Sequence, residues 1–189
     1  MPARAPRGRP PATLLGAMTN LRLVHTIHCD APGFWKLFLD SKLNVALYTG
    51  ALKFPRLEVL SFEETDTTVR RRMAATPSLA GVPGPVAKLL GSNFSYVEEG
   101  SMNKAEGVWR FTMIPSILAD KIKQEGTVRV EPEGPNAVKR TTEVTIEAKV
   151  FAIGGLVESA AEKIVRDAWE TSTVFMNEWI EGKHRDAVR

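Results

Sequence analysis

The chain has 189 residues, 43% hydrophobic and 25% charged, which suits one domain with its own core. No run approaches the roughly 18 consecutive apolar residues a membrane span needs, so a soluble protein is expected. The net charge of +3 comes from Arg4, Arg7 and Arg9 in an acid-free start; the rest carries 22 basic and 22 acidic side chains, which argues against a nucleic-acid groove.

Residues 1–18 are rich in proline and arginine and are expected to be a disordered tail. They read either as an organelle-type leader or as an upstream start, with a domain over 19–181 and a short tail over 182–189. The single cysteine, Cys29, allows no intrachain disulfide and fits a reducing, cytoplasmic setting. It reads as a packed thiol at a strand end, because no triad can be named around it.

Leu21 to His28 alternates, with Leu21, Leu23, His25 and Ile27 on one face, and reads as the first strand. Asp30 is a helix N-cap candidate, with Pro32 in the first turn. Phe34, Leu37, Phe38 and Leu43 form a helical stripe that Asn44, Thr49 and Gly50 weaken, so a short or broken helix is predicted. The runs 56–62 and 67–75 flank a polar connection and predict a hairpin. A loop rich in proline and glycine, 76–85, precedes a helix of one or two turns over 86–90. The runs 94–99 and 108–114 predict a second strand pair, and 122–130 with 138–150 a third. In the last strand Val144, Ile146, Ala148 and Val150 share one face and Glu143, Thr145, Glu147 and Lys149 the other. That period of two marks a sheet with one wet and one covered face. An amphipathic helix over 156–180 can supply the cover. Hairpins dominate and no βαβ rhythm appears. The predicted class is α+β: a curved antiparallel sheet of about six to seven strands wrapped around a long C-terminal helix.

This order resembles the START-like helix-grip superfamily, which includes polyketide cyclases, aromatic-compound binders and lipid-transfer domains. The likeness rests on the opening strand with Asp30-Ala31-Pro32-Gly33-Phe34-Trp35, on the final strand pair, and on Ile153-Gly154-Gly155 leading into the helix that ends Thr173-Val174-Phe175-Met176-Asn177-Glu178-Trp179. It is similar above all to bacterial members of unknown function, over residues 19–181. The resemblance implies a hydrophobic cavity between sheet and helix, and no particular reaction.

Alternation over 67–75 puts Val69, Arg71 and Met73 inside and Thr68, Arg70 and Arg72 outside. A buried guanidinium is costly unless paired. Arg71 therefore either meets a protein carboxylate such as Glu98 or awaits an anionic ligand group. His25 on its apolar face reads as a hydrogen-bonded core residue or a ligand contact, and His28 and His184 as solvent-facing. Tyr96, beside Phe94 and Glu98, and Trp109, with Phe111 and Met113, suit an apolar pocket with a few orienting groups. On the helix, Val157, Ala161, Ile164, Ala168, Phe175 and Trp179 lie near one stripe, and the small Ala161 and Ala168 leave room opposite the sheet.

The ligand-contact set predicted from these faces is His25, Val69, Arg71, Met73, Tyr96, Trp109, Phe111, Val144, Ile146, Ala161, Ile164 and Ala168. No metal-ligand spacing or phosphate-binding glycine motif occurs, so no metal or cofactor is predicted. The expected partner is an apolar small molecule or a lipid, not nucleic acid. The resemblance implies that the loop residues Leu79, Val82, Leu89 and Leu90 gate the cavity or touch a membrane transiently. Two further readings stand beside this one: a cyclase- or hydrolase-like enzyme using His25, Tyr96 or Glu98 as proton carriers, and an interaction module with a filled cavity.

Overall fold

The computed structural model describes residues 18–184. The tail over 1–17 and the last five residues, 185–189, lie outside the described residues. Seven strands form one antiparallel sheet: β1 (Met18–Ile27), β2 (Arg56–Glu64), β3 (Thr68–Thr76), β4 (Tyr96–Asn103), β5 (Val108–Pro115), β6 (Ile122–Pro132) and β7 (Val138–Ala148). Their order is β1-β7-β6-β5-β4-β3-β2. From β2 onward each strand pairs with its successor, and only β1 pairs across the chain, with β7. Helices α1 (Ala31–Leu39) and α2 (Ser41–Val45) carry the chain from one sheet edge to the other. A short helix α3 (Gly84–Leu90) follows β3, and α4 (Gly154–Ile180) closes the chain on the inner face. This is the predicted helix-grip α+β fold.

The predicted break in the first helix falls at Asp40. Asp30 accepts a hydrogen bond from the Gly33 amide at 2.8 Å and caps α1, and Asp40 accepts one from Leu43 at 2.8 Å and starts α2 afresh. The chain then continues, rather than dissolving near Asn44, through a π-helical turn over Ala46–Ala51. Asn44 is buried and bridges the break by donating to the carbonyls of Phe38 at 3.1 Å and Asp40 at 2.6 Å. Strand β4 also runs four residues further than the sequence suggests, to Asn103. Gly100 sits inside it because Trp109 lies over it.

One row of cross-strand partners runs Phe62, Arg71, Gly100, Phe111, Gly126, Val144, Leu21. Two glycines flank Phe111 in this row. A methyl group at Gly100 would stand 2.0 Å from the Trp109 ring, and one at Gly126 would stand 2.3 Å from the Glu143 carbonyl and 2.7 Å from the Phe111 ring. The missing side chains let two large rings lie down on the sheet. The main core gathers here, with Ile27, Phe34, Leu43, Trp109, Val128 and Met176 among its buried members. A second cluster, Val86, Ala148, Val157 and Ala160, joins α3 to the start of α4.

Gly126→Ala and Gly100→Ala are each expected to lower stability by about 1–3 kcal/mol through overpacking. Urea unfolding should show a lower midpoint at an unchanged slope, with Gly100→Ala also shifting tryptophan emission. Wild-type midpoints in both variants would show that the rings do not depend on these glycines.

Candidate functional site

Helix α4 is tied to the sheet at three places. Near its start, buried Glu158 accepts a hydrogen bond from the Ala148 amide at 2.9 Å, finishing β7. Near its end, Asn177 donates to the Thr26 carbonyl at 3.1 Å and accepts from the His28 amide at 2.9 Å. Between them stands Arg140 of β7, wholly buried. It donates to Ser172 at 3.2 Å, to Thr173 at 2.7 Å and to the Trp169 carbonyl at 3.0 Å, and lies 4.7 Å from the Trp169 ring centre.

Arg140 has no carboxylate within ion-pair distance among the described residues; His25 stands between it and one. His25 Nδ1 lies 3.2 Å from Arg140 Nη2, and His25 Nε2 lies 3.3 Å from Glu170 Oε2. Because the guanidinium can only donate, His25 accepts at Nδ1 and donates from Nε2. Burial, and then the Arg140 charge, hold the His25 pKa below its usual value, against the pull of Glu170. Burial lowers Arg140 to about 9, again opposed by Glu170, so it stays charged at neutral pH.

Between the Glu158 and Arg140 ties, α4 presents small residues to the sheet. There a cavity of about 220 Å³ opens between α4, the α1–α2 segment, α3 and strands β3 to β6. Its walls include Phe38, Leu47, Trp109, Phe111, Ala161 and Ala168. Leu79, Val82 and Leu90 form one side, and Ile164, lining it while 42% exposed, marks where it meets the surface. A wider depression of about 350 Å³ on the outer face is bounded by Glu63, Arg70, Arg72 and Glu99. It is a wet strand surface, with Arg72 and Glu99 paired at 2.8 Å across strands.

Four polar side chains of the lining, Arg71, Glu98, Tyr48 and Tyr96, stand together. Arg71, 4% exposed, donates to the Phe38 carbonyl at 2.8 Å and meets Glu98 Oε1 at 3.3 Å. Its guanidinium carbon lies 5.2 Å from the ring centres of both Phe38 and Trp109. The first of the two alternatives for Arg71 is thus the one observed, an internal pair with Glu98. Tyr48 and Tyr96 adjoin the pair. Burial, then the Glu98 charge, pushes the Tyr48 phenol well up, and burial, then Tyr48, does the same for Tyr96. Both phenols keep their protons at neutral pH.

Of the predicted contacts, Arg71, Tyr96, Trp109, Phe111, Ala161, Ile164 and Ala168 line the cavity. Val69, Met73, Val144 and Ile146 face inward and are buried but do not line it, being covered by other side chains. His25 is drawn to the interface with α4 by Arg140 and Glu170 and also lies off the cavity. His184 does not face solvent as expected: it stacks on Phe175 at 4.3 Å and meets Glu178 at 3.0 Å. Cys29 packs half-buried against the core, and burial raises its thiol pKa. Leu79, Val82, Leu89 and Leu90 are half-buried on the cavity rim and second cluster rather than forming an exposed patch. Arg140 and Tyr48 were missed. Carrying the alternation of Val144 and Ile146 back four residues would have put Arg140 inside; Tyr48 reaches the cavity from a π-helical turn that leaves no periodic signal. Among the described residues no cluster of three or more His, Cys, Asp or Glu could hold a metal, and no helix is long and apolar enough to cross a membrane.

The His25 pKa sets a pH dependence. Its folded-state pKa lies below the unfolded value of about 6.5, so the unfolded chain binds the extra proton first as pH falls. The stability it contributes is complete above about 6.5 and is lost as pH drops through the folded pKa. His25→Asn, which keeps an acceptor for Arg140 but does not titrate, is expected to flatten this part of a stability–pH profile from urea unfolding. An unchanged slope below pH 6.5 would contradict the assignment.

Comparison with known proteins agrees with the geometry. No curated protein matches the chain. Among solved structures, a START superfamily protein from Mycobacterium smegmatis is 14% identical with a TM-score of 0.57, covering 86% of this chain and 97% of its own. Norcoclaurine synthase from Thalictrum flavum, solved with dopamine and hydroxybenzaldehyde, is 13% identical with a TM-score of 0.61, covering 96% and 98%. An aromatase/cyclase from Streptomyces sp. R1128 is 15% identical with a TM-score of 0.54, covering 92% and 97%. These likenesses establish the START-like fold. A family profile described as "protein of unknown function (DUF2505)" matches residues 22–180, and the chain belongs to that family.

Proposed function

We propose that the protein binds or carries a compact hydrophobic small molecule in the cavity beneath α4. The observation that carries this reading is a largely apolar space of about 220 Å³ with one cluster of polar groups, Arg71, Glu98, Tyr48 and Tyr96, in its wall. An apolar protein cavity of about 150 Å³ accepts benzene, and sites for drug-sized ligands run from roughly 300 Å³ upward. A molecule of one or two rings, or a short chain, fits between these limits. A long lipid chain would need α3 and α4 to part. Burying about 200 Å² of apolar surface contributes about 5 kcal/mol before association costs.

The chemistry of the polar cluster supports holding a ligand over turning it over. Glu98 is engaged by a guanidinium, and both phenols are protonated donors rather than bases. His25, a proton carrier in the enzymatic reading, lies off the cavity with both ring nitrogens engaged.

Filling the cavity tests this. Ala161→Trp and Ala168→Trp are expected to weaken binding of 1-aminonaphthalene, followed by its emission, by at least about tenfold while leaving the far-ultraviolet circular dichroism unchanged. Equal binding by folded wild type and both variants would place the ligand elsewhere and defeat the proposal.

A further inference from the structure

Resting on that reading, we infer that the ligand presents a neutral hydrogen-bond donor, such as a phenol or alcohol O–H, to Glu98 and its tyrosine neighbours, and that the cavity excludes carboxylates. The sequence alone leaves Arg71 open as an anchor for an anion; the geometry closes that route. The guanidinium lies between the Phe38 and Trp109 rings, two of its nitrogens are spent on the Phe38 carbonyl and Glu98, and its Nε is sealed from solvent. Both partners of the pair line the cavity, and the hydrogen-bonding capacity left over is on Glu98. Glu98, with 13% of its side chain exposed, gives one oxygen to Arg71, and its second has no hydrogen-bond partner among the described residues. The Tyr48 and Tyr96 hydroxyls adjoin it and are hydrogen-bonded to each other.

The charges of the pair cancel, so an anion entering here would be desolvated beside a carboxylate with no free cation to meet it. A neutral O–H can donate to the second Glu98 oxygen and accept from a phenol, which meets both without adding charge. An amine held as a cation would compete with Arg71 for Glu98 and leave the pair with one buried charge too many. An ether of the same skeleton would accept from a phenol but leave the carboxylate oxygen unmet.

Three probes on one ring system separate these cases: 2-naphthol, 2-methoxynaphthalene and 2-naphthoate, titrated against the full chain at pH 7 by calorimetry or tryptophan quenching. The expected order is naphthol first, the ether about tenfold weaker, and the carboxylate at least about a hundredfold weaker. Tyr48→Phe with Tyr96→Phe removes both hydroxyls without touching the ion pair and should shrink the gap between naphthol and naphthoate by roughly threefold or more. Glu98→Gln should bring naphthol and ether within about twofold of each other. Naphthoate binding as well as naphthol, or naphthol no better than the ether in the wild type, overturns the inference while leaving the cavity reading intact. No binding of any probe by folded protein overturns both.

Discussion

Three polar ties fix α4 above the sheet, and the space beneath the helix depends on them. Glu158, Arg140 and Asn177 each join a helix side chain or carbonyl to β7 or β1. Hydrogen bonds of this kind are modest in net energy but costly to leave unmade when buried. The helix therefore cannot slide to improve its apolar packing without orphaning a carboxylate, a guanidinium or a strand end. From Glu158 to Ser172 it spans about 21 Å, and over that length it carries Ala160, Ala161 and Ala168 toward the cavity. Small residues on a helix held at fixed height leave a gap that larger ones would close.

The two buried arginines act differently. Arg140 lies among neutral acceptors, with its nearest carboxylate reached only through His25, and it holds helix to sheet. Arg71 is paired directly with Glu98 and held between two aromatic rings, and it lines the cavity. Neither is free to serve as a simple anion receptor. The glycines at 100 and 126 complete the arrangement, since they let Trp109 and Phe111 lie flat and form the cavity floor in place of filling it.

Period-two alternation made much of this legible in advance. It separated Arg71 from Arg70 and Arg72 and named Glu98 as a partner, because strand sidedness follows directly from register. It could equally have revealed Arg140. The helix was harder. The predicted stripe through Ala161, Ile164 and Ala168 is only partly the buried one, which runs through Val165, Ser172 and Met176. A face read in steps of seven drifts by about 20° per heptad on a straight helix, and over 27 residues that drift brings in neighbouring positions. The placement of Tyr48 and of the second Glu98 oxygen depends on a π-helical turn and on which oxygen Arg71 takes. No sequence periodicity encodes either.

The most direct test of the account is a crystal of the protein pressurised with xenon, which enters dry apolar cavities and leaves packed cores alone. Xenon is expected to be bounded by Phe111, Ala161 and Ala168, away from the Arg71–Glu98 pair. A structure in which α4 closes onto the sheet and no xenon binds beneath it would contradict the claim that the ties hold an apolar cavity open.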